Sequence, residues 1–294
     1  MSLKVRWVIL ILIAGVMLFS HSCISFRMSS KEIDEFFAGK NLTASQHFYK
    51  KGSREFHYVK AGNPDGPLVL FLHGSPGSLS AFIHFLSDSA LRNEALLVTS
   101  DRPGFGYSNF GYGEPSLKAQ AEFIRPILEE YRLNRPVLLV GHSLAGALIV
   151  RMAAQYPELV DGLIIVSGSV DPELEPNETW FRAPLATPFL SWMVPRSFRA
   201  SNDEIYQLKP ELKIMLPLWK EVRCPVIIIQ GKDDDLVPAE NADFAKKMLV
   251  NAPVEVQMID DMNHFVPWSH PDLIRDAVLK MVRQTSRPEE VSAQ

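Results

Sequence analysis

The sequence predicts an α/β fold, a mostly parallel sheet flanked by helices and interrupted by an inserted helical cap. Three observations predict it. Short apolar runs recur along the chain, mostly without polar alternation, as strands buried on both faces of a parallel sheet read. Amphipathic helical patterns separate these runs, and strand–helix alternation implies helices on both faces of one sheet. One stretch, residues 171–221, holds no strand run but carries seven prolines and seven aromatics. It lies between two strands, so the chain must leave the sheet there and return. Long loops without structure are rare in compact domains, and aromatic-rich ones rarer, so this stretch is expected to be a helical cap.

Composition is consistent with this. Of 294 residues, 47% are hydrophobic and 22% charged, a globular balance rather than a disordered or collagenous one. Thirty basic and 34 acidic residues leave a net charge of −4. No basic excess is present to grip a phosphate backbone, which excludes nucleic acid as the expected partner. Two cysteines allow at most one disulfide. The mean hydropathy is +0.01, too low for a multi-span membrane protein.

That average hides a strongly apolar N-terminus. After Lys4 and Arg6, residues 7–19 (WVILILIAGVMLF) form an unbroken apolar run. The run is short for a hydrocarbon core of about 30 Å at about 1.5 Å per residue. It has the size of a signal-peptide core behind a positive n-region. Ser22-Cys23 then resembles a bacterial lipoprotein cleavage site, with Ser20 where Leu is usual. Residues 1–23 are therefore read as an address. It is lipidated at Cys23, or an uncleaved anchor extending to Phe26, or a cleaved leader of a secreted protein. Each option places the folded body outside the cytoplasm, membrane-attached in the first two. Residues 24–50 read as a tether in which Ile33, Phe36 and Phe37 form one amphipathic turn. The C-terminal residues 286–294 read as a disordered tail.

In chain order, the body has a first part over 51–170. Its strand runs are Leu68–Leu72, Leu96–Thr99, Val137–Val140 and Leu163–Val166. A helix is expected from the capping Ser116 to Leu133, with Leu117, Ala121, Ile124 and Leu128 on one stripe and a kink or split at Pro126. A second helix covers Leu144–Tyr156. The cap is 171–221. The second part, 222–285, has strand runs Val226–Ile229 and Val254–Met258 and a last helix over Asp272–Gln284. Cys224 is expected to be a small core residue.

The most informative segment is Val137-Leu138-Leu139-Val140-Gly141-His142-Ser143-Leu144-Ala145-Gly146. A buried strand runs through G-x-S-x-A directly into a helix. A serine on so sharp a strand-to-helix turn projects its Oγ freely. The positions two before and two after must be small where strand and helix crowd; Gly141 and Ala145 meet that need. The helix N-terminus behind Ser143 presents free N–H groups to a developing anion. Ser143 is therefore the candidate nucleophile. His142, beside it, is read as a packed core imidazole.

Ser143 needs a base and an orienting acid. On this kind of sheet the chain order is Ser, then Asp or Glu, then His. After the Val226 run comes Gly231-Lys232-Asp233-Asp234-Asp235-Leu236-Val237-Pro238. Three adjacent aspartates diverge, so one faces inward; G-x-x-D-x-x-V-P selects Asp234, with Asp171 as the less favoured acid. After the Val254 run comes Asp260-Asp261-Met262-Asn263-His264-Phe265. His264 stands third in the required order and is the candidate base, whereas His270, next to Pro271, reads as a helix cap. The first body strand runs into His73-Gly74-Ser75-Pro76-Gly77, a glycine-rich turn that lets a backbone N–H approach a substrate carbonyl. The expected oxyanion donors are the N–H groups of Ser75 and Leu144.

These segments, HGSPG at 73–77, DRPGFGYS at 101–108, GHSLA at 141–145, GKDDDLVP at 231–238 and NHF at 263–265, resemble the α/β-hydrolase superfamily in its cap-bearing serine hydrolase branch. The resemblance covers about residues 55–283 and follows the family's motif order. It implies a mainly parallel eight-stranded sheet with a lid over the serine. Gly104-x-Gly106 does not make a dinucleotide site, because Asn109 replaces the third glycine. Epoxide hydrolases and haloalkane dehalogenases are similar around HGxPG and DRPGFGxS but use an aspartate nucleophile, and Ser143 argues against both. Esterases, lipases, C–C bond hydrolases, cofactor-free haloperoxidases and proline iminopeptidases remain.

The expectation is a serine hydrolase that cleaves a small-molecule carboxylic ester with Ser143, Asp234 and His264, needing no cofactor; no Cys/His zinc spacing is present. The cap aromatics Trp180, Phe181 and Trp192, with Phe189 and Phe198, are expected to line a modestly apolar pocket. Alternatives are an aminopeptidase, a C–C bond hydrolase, or a non-catalytic binding module on the same scaffold; a binder has no need of all three triad groups.

Overall fold

A computed structural model describes residues 5–7, 15, 25–132 and 135–285. Cys23, most of the apolar N-terminal run and the tail 286–294 lie outside the described residues. Among those described, no helix is long and apolar enough to cross a membrane.

Eight strands form one sheet: β1 Ser45–Lys51, β2 Arg54–Gly62, β3 Leu68–Leu72, β4 Leu96–Ser100, β5 Val137–His142, β6 Gly162–Val166, β7 Val226–Gly231 and β8 Val254–Ile259. Their spatial order is β1-β2-β4-β3-β5-β6-β7-β8. The first two junctions are antiparallel and the rest parallel. The unalternated runs are explained by two cores. Leu68, Leu70 and Leu72 of β3 enter one cluster, with Leu139 of β5 and Ile165 of β6. Val69 and Phe71 enter the other, with Val140 and Ile164. Side chains alternate across a strand, so a strand covered on both sides must be apolar at every position.

The first core packs under α3 (Leu117–Arg132) and α4 (Leu144–Gln155); the second packs under α1 (Ser30–Ala38), α2 (Ser89–Glu94) and α10 (Pro271–Thr285). Helix α3 continues through Pro126 and is not split there. Pro126 has no N–H for the Glu122 carbonyl four residues back. That carbonyl accepts instead from Lys51 Nζ of β1, and Tyr49 OH donates to the next one, Phe123 O, at 2.7 Å.

Residues 25–50 are folded onto the body and are not a tether. Ser29 caps α1 through a reciprocal capping box: Glu32 N–H donates to Ser29 Oγ, and Ser29 N–H to the Glu32 carboxylate. Ile33 and Phe37 are buried in the second core, and Ser45–Lys51 is the edge strand β1. The S-x-x-E signal stands in the sequence, but β1 (SQHFYKK) carries too few apolar residues to announce a strand. An edge strand with one solvated face requires few.

Between β6 and β7 the chain forms α5 (Thr179–Leu185), α6 (Pro188–Ser191), α7 (Arg196–Met215) and a 3-10 turn over Leu216–Glu221. The remaining helices are α8 (Glu240–Met248) and the short α9 (Val266–Ser269).

Candidate active site

The site gathers at the C-terminal ends of β3, β5, β7 and β8, where loops of an open parallel sheet converge. Ser143 occupies the turn between β5 and α4 with φ 57° and ψ −127°, a conformation that is costly for a residue with a side chain. Neighbours over-determine it. Ser143 N–H donates to Val166 O at 3.0 Å, and its carbonyl accepts from Gly146 and Ser169. A Cβ on Gly141 would lie 2.3 Å from Ala145 O, so that position tolerates no side chain. The N–H of Leu144, first residue of α4, has no partner within its own helix.

Asp234 and His264 meet as expected. His264 Nδ1 and Asp234 Oδ2 are 2.8 Å apart, both side chains being buried. Asp234 Oδ1 also accepts from Leu236 N–H at 3.0 Å and Val237 N–H at 2.7 Å. Burial alone would raise this carboxyl, but the hydrogen bonds from His264, Val237 and Leu236 hold it below its usual value. Asp233 and Asp235 point to solvent, while Asp171 Oδ1 accepts from Glu173 N–H in its own turn. The loops carrying Asp234 and His264 are stitched together, with Lys232 N–H donating to Ile259 O and Asp233 N–H to Met262 O. His142 does more than pack. Its Nε2 donates to His264 O at 2.9 Å, fixing the backbone of the base. Burial, then the neighbouring His264, pushes its pKa down to about 3, so it stays neutral.

Ser75 and Ser143 border the same cavities. Gly74 brings the HGSPG turn against the nucleophile: a Cβ there would lie 2.9 Å from Ser143 Cβ. A second buried His–Asp pair, His57 Nδ1 and Asp101 Oδ2 at 2.8 Å, borders neither cavity. Asp101 instead shapes the 101–108 turn by accepting from Leu79 and Tyr107 N–H.

Two cavities meet at Ser143 and His264. The larger, about 560 Å³, is walled mainly by Phe26, Pro76, Ala81, Leu236, Phe265 and Trp268. The smaller, about 210 Å³, adds Ser169, Glu175, Glu178, Arg182, Ile205 and Leu208. The expectation that Trp180, Phe181 and Trp192 line the pocket is therefore corrected. None of them, nor Phe189 or Phe198, borders either cavity. Trp180 is 81% exposed and Trp192 55%; Phe181 packs edge-on against Trp180; Phe198 meets Phe26 from behind, ring centroids 6.0 Å apart. The apolar wall comes from outside that segment. Phe265 follows His264 directly and Trp268 lies just beyond it in α9, a proximity visible in the sequence. Phe26 sits in the stretch expected to be a tether, its carbonyl held by Ser78 Oγ at 2.6 Å and Ser80 Oγ at 3.0 Å. Its role could not be read from spacing.

A profile of the alpha/beta hydrolase fold matches residues 67–190. The chain has the α/β-hydrolase fold. Among the proteins it is similar to is Protein ABHD8 of Bos taurus, 27% identical over 236 residues, which cover 70% of this chain and 54% of that protein. The chain thus spans about half the length of this curated relative. Among solved structures it is similar to a putative lipase of Acinetobacter baumannii, with a TM-score of 0.69 and 19% identity over 89% of this chain and 97% of that one. It is also similar to a bacterial membrane phospholipase A, with a TM-score of 0.65 and 17% identity over 97% and 99%. At these identities the likeness is one of fold.

Proposed function

We propose that this α/β hydrolase cleaves a carboxylic ester through an acyl-enzyme on Ser143. The observation that carries this is the 2.8 Å His264–Asp234 contact, set in the same cavity wall as a serine held at a strained strand-to-helix turn. Ser143 Oγ attacks the carbonyl, and His264 Nε2 takes its proton. His264 Nδ1–H donates to Asp234, which fixes the tautomer and stabilises the charged ring. The Ser75 and Leu144 N–H groups face the developing oxyanion, each such donor contributing about 3 kcal/mol to lowering the barrier. His264 then returns the proton to the leaving alcohol, and water releases the acid by the same steps.

The two cavities suggest the substrate's shape. One arm of the ester is apolar and lies against Phe26, Phe265 and Trp268; the other is short and polar, against Ser169, Glu178 and Arg182. We further propose that the body lies outside the cytoplasm, attached to the cell-envelope membrane through the N-terminal apolar run. Phe26 is only seven residues beyond that run, so the cavity mouth would sit near the lipid surface. A second reading, an aminopeptidase, is favoured by one observation: the Glu175 carboxylate lines the smaller cavity with Ser143, Glu178 there being already paired with Arg182.

An active-site fluorophosphonate should label the wild type and not Ser143→Ala; equal labelling of both would remove Ser143 from the mechanism. Aryl esters of rising chain length beside aminoacyl amides separate esterase from peptidase. A lipid mass on Cys23, or an intact Met1 terminus, decides the mode of attachment.

A further inference from the structure

Helix α7 reaches the oxyanion turn through two buried charges that the mechanism above does not use. Glu204 of α7 and Arg102 of the 101–108 turn form a two-pronged pair, Nη1 to Oε1 at 2.8 Å and Nη2 to Oε2 at 3.0 Å. Both side chains are essentially inaccessible to solvent. Burial raises the Glu204 carboxyl, and Arg102 opposes the rise. Gln120 of α3 closes the network, accepting from Arg102 Nη1 at 2.8 Å and donating to Glu204 Oε1 at 2.9 Å.

The remaining donors of Arg102 go to the HGSPG turn. Nε donates to His73 O at 2.7 Å and Nη2 to Gly74 O at 3.0 Å. His73 adds a second donor to the same carbonyl. Arg102 N–H donates to His73 Nε2 at 3.0 Å, so the ring proton sits on Nδ1 and points to Gly74 O at 2.7 Å. The Gly74 carbonyl and the Ser75 N–H are opposite ends of one planar peptide unit. Two donors on the carbonyl, one of them cationic, fix the plane of that unit and polarise its N–H.

We propose that Glu204 and Arg102 are positioning residues for the Ser75 oxyanion donor, so that the helical segment between β6 and β7 sets the catalytic power of the turn as well as covering the site. Glu204 holds the guanidinium fork in the one orientation that serves both carbonyls. This rests on the serine-hydrolase reading above.

The test is steady-state kinetics of Glu204→Gln on an aryl ester, with the affinity of an alkyl boronate that forms a tetrahedral serine adduct. Expected is a fall in kcat of about 10–100-fold, KM within about twofold, and boronate affinity weakened by the same factor as kcat. Gln120→Ala, a milder change to the same network, should show the same pattern at about 3–10-fold. It decides the matter if Glu204→Gln fails to fold. A KM rise with unchanged kcat and boronate affinity, in whichever variant folds, would overturn the proposal. If instead the wild type is neither labelled by fluorophosphonate nor active on any ester, the serine-hydrolase reading itself fails, and with it this one.

Discussion

The rim of strand ends around Ser143 and the helical segment between β6 and β7 are built on different principles. At the rim, Ser143 and Asp234 are held by backbone, and His264 by Asp234 and His142. Ser143 is fixed by the β5–β6 ladder and the start of α4, and Asp234 by two N–H groups of its own loop. In the helical segment, Trp180, Phe189 and Trp192 face solvent, while Leu208, Leu212, Met215 and Trp219 anchor it in the first core and Glu204 adds a buried polar contact to Arg102. The difference teaches where chemistry resides. The rim is fixed by short hydrogen bonds within its own loops, whereas the segment contributes core anchors, one buried charge network and a polar wall, and turns Trp180 and Phe189 to solvent.

The largest effect should come at the rim. Ser143→Ala should lower kcat by about 10⁴–10⁶-fold on any ester that the wild type cleaves, since the triad acts as a unit. The melting temperature should hardly change. Comparable loss from any single aromatic of the segment would break the contrast.

Next is Gly141→Ala. The added Cβ meets the Ala145 carbonyl at 2.3 Å, so β5 and α4 must part, at a cost of about 2–4 kcal/mol. Urea unfolding should show it as a lower midpoint.

Rim and segment also differed in legibility. Strands β3 to β7 could be read because burial on both faces favours near-continuous apolar runs, and edge strand β8 because Val254, Val256 and Met258 mark its packed face. The strained turn at Ser143 and the contact between Asp234 and His264 could be read because a strand-to-helix turn and a fixed chain order leave few residue types that fit. Strands β1 and β2 were not announced, one face of β1 being solvated, and α1 was read as a single amphipathic turn because only Ile33 and Phe37 anchor it. The pocket wall was misplaced for a related reason. Aromatic content marks a segment that must bury something or touch something, but spacing within short helices such as α5 and α6 does not say which face turns inward. Trp180 turned outward, while Phe26 and Trp268 were brought in by long-range packing.

Acid sharpens the rim side of the comparison. His142 is held near 3 against an ordinary value of about 6.5. Between those values the unfolded chain binds a proton that the folded protein does not, so stability falls as pH falls, by about 1.4 kcal/mol per pH unit for this group. Asp234 is held below its ordinary value, so its contribution is present above about 4 and is lost at lower pH still, as the folded protein takes up that proton. Stability measured by denaturant from pH 6.5 to 4 should therefore fall less steeply in His142→Asn, by about one proton. Parallel curves would mean that the imidazole is not kept neutral by burial.

The smallest effect is the most telling for the segment. Trp268 borders the apolar cavity and Trp180 does not, though both are exposed tryptophans near the site. Removing Trp268 deletes part of the surface on which an apolar arm would lie, at roughly 25 cal/mol per Å². Trp268→Ala should thus raise KM about 5–10-fold for a long-chain aryl ester and hardly at all for an acetate. Trp180→Ala should leave both constants within about twofold. The chain-length dependence is what separates a lost wall from a loosened loop, because a loop disturbed beside His264 would slow every ester alike. If Trp180→Ala showed the chain-length effect and Trp268→Ala did not, the apolar arm would lie against α5, and the helical segment rather than the His264 loop would select the substrate.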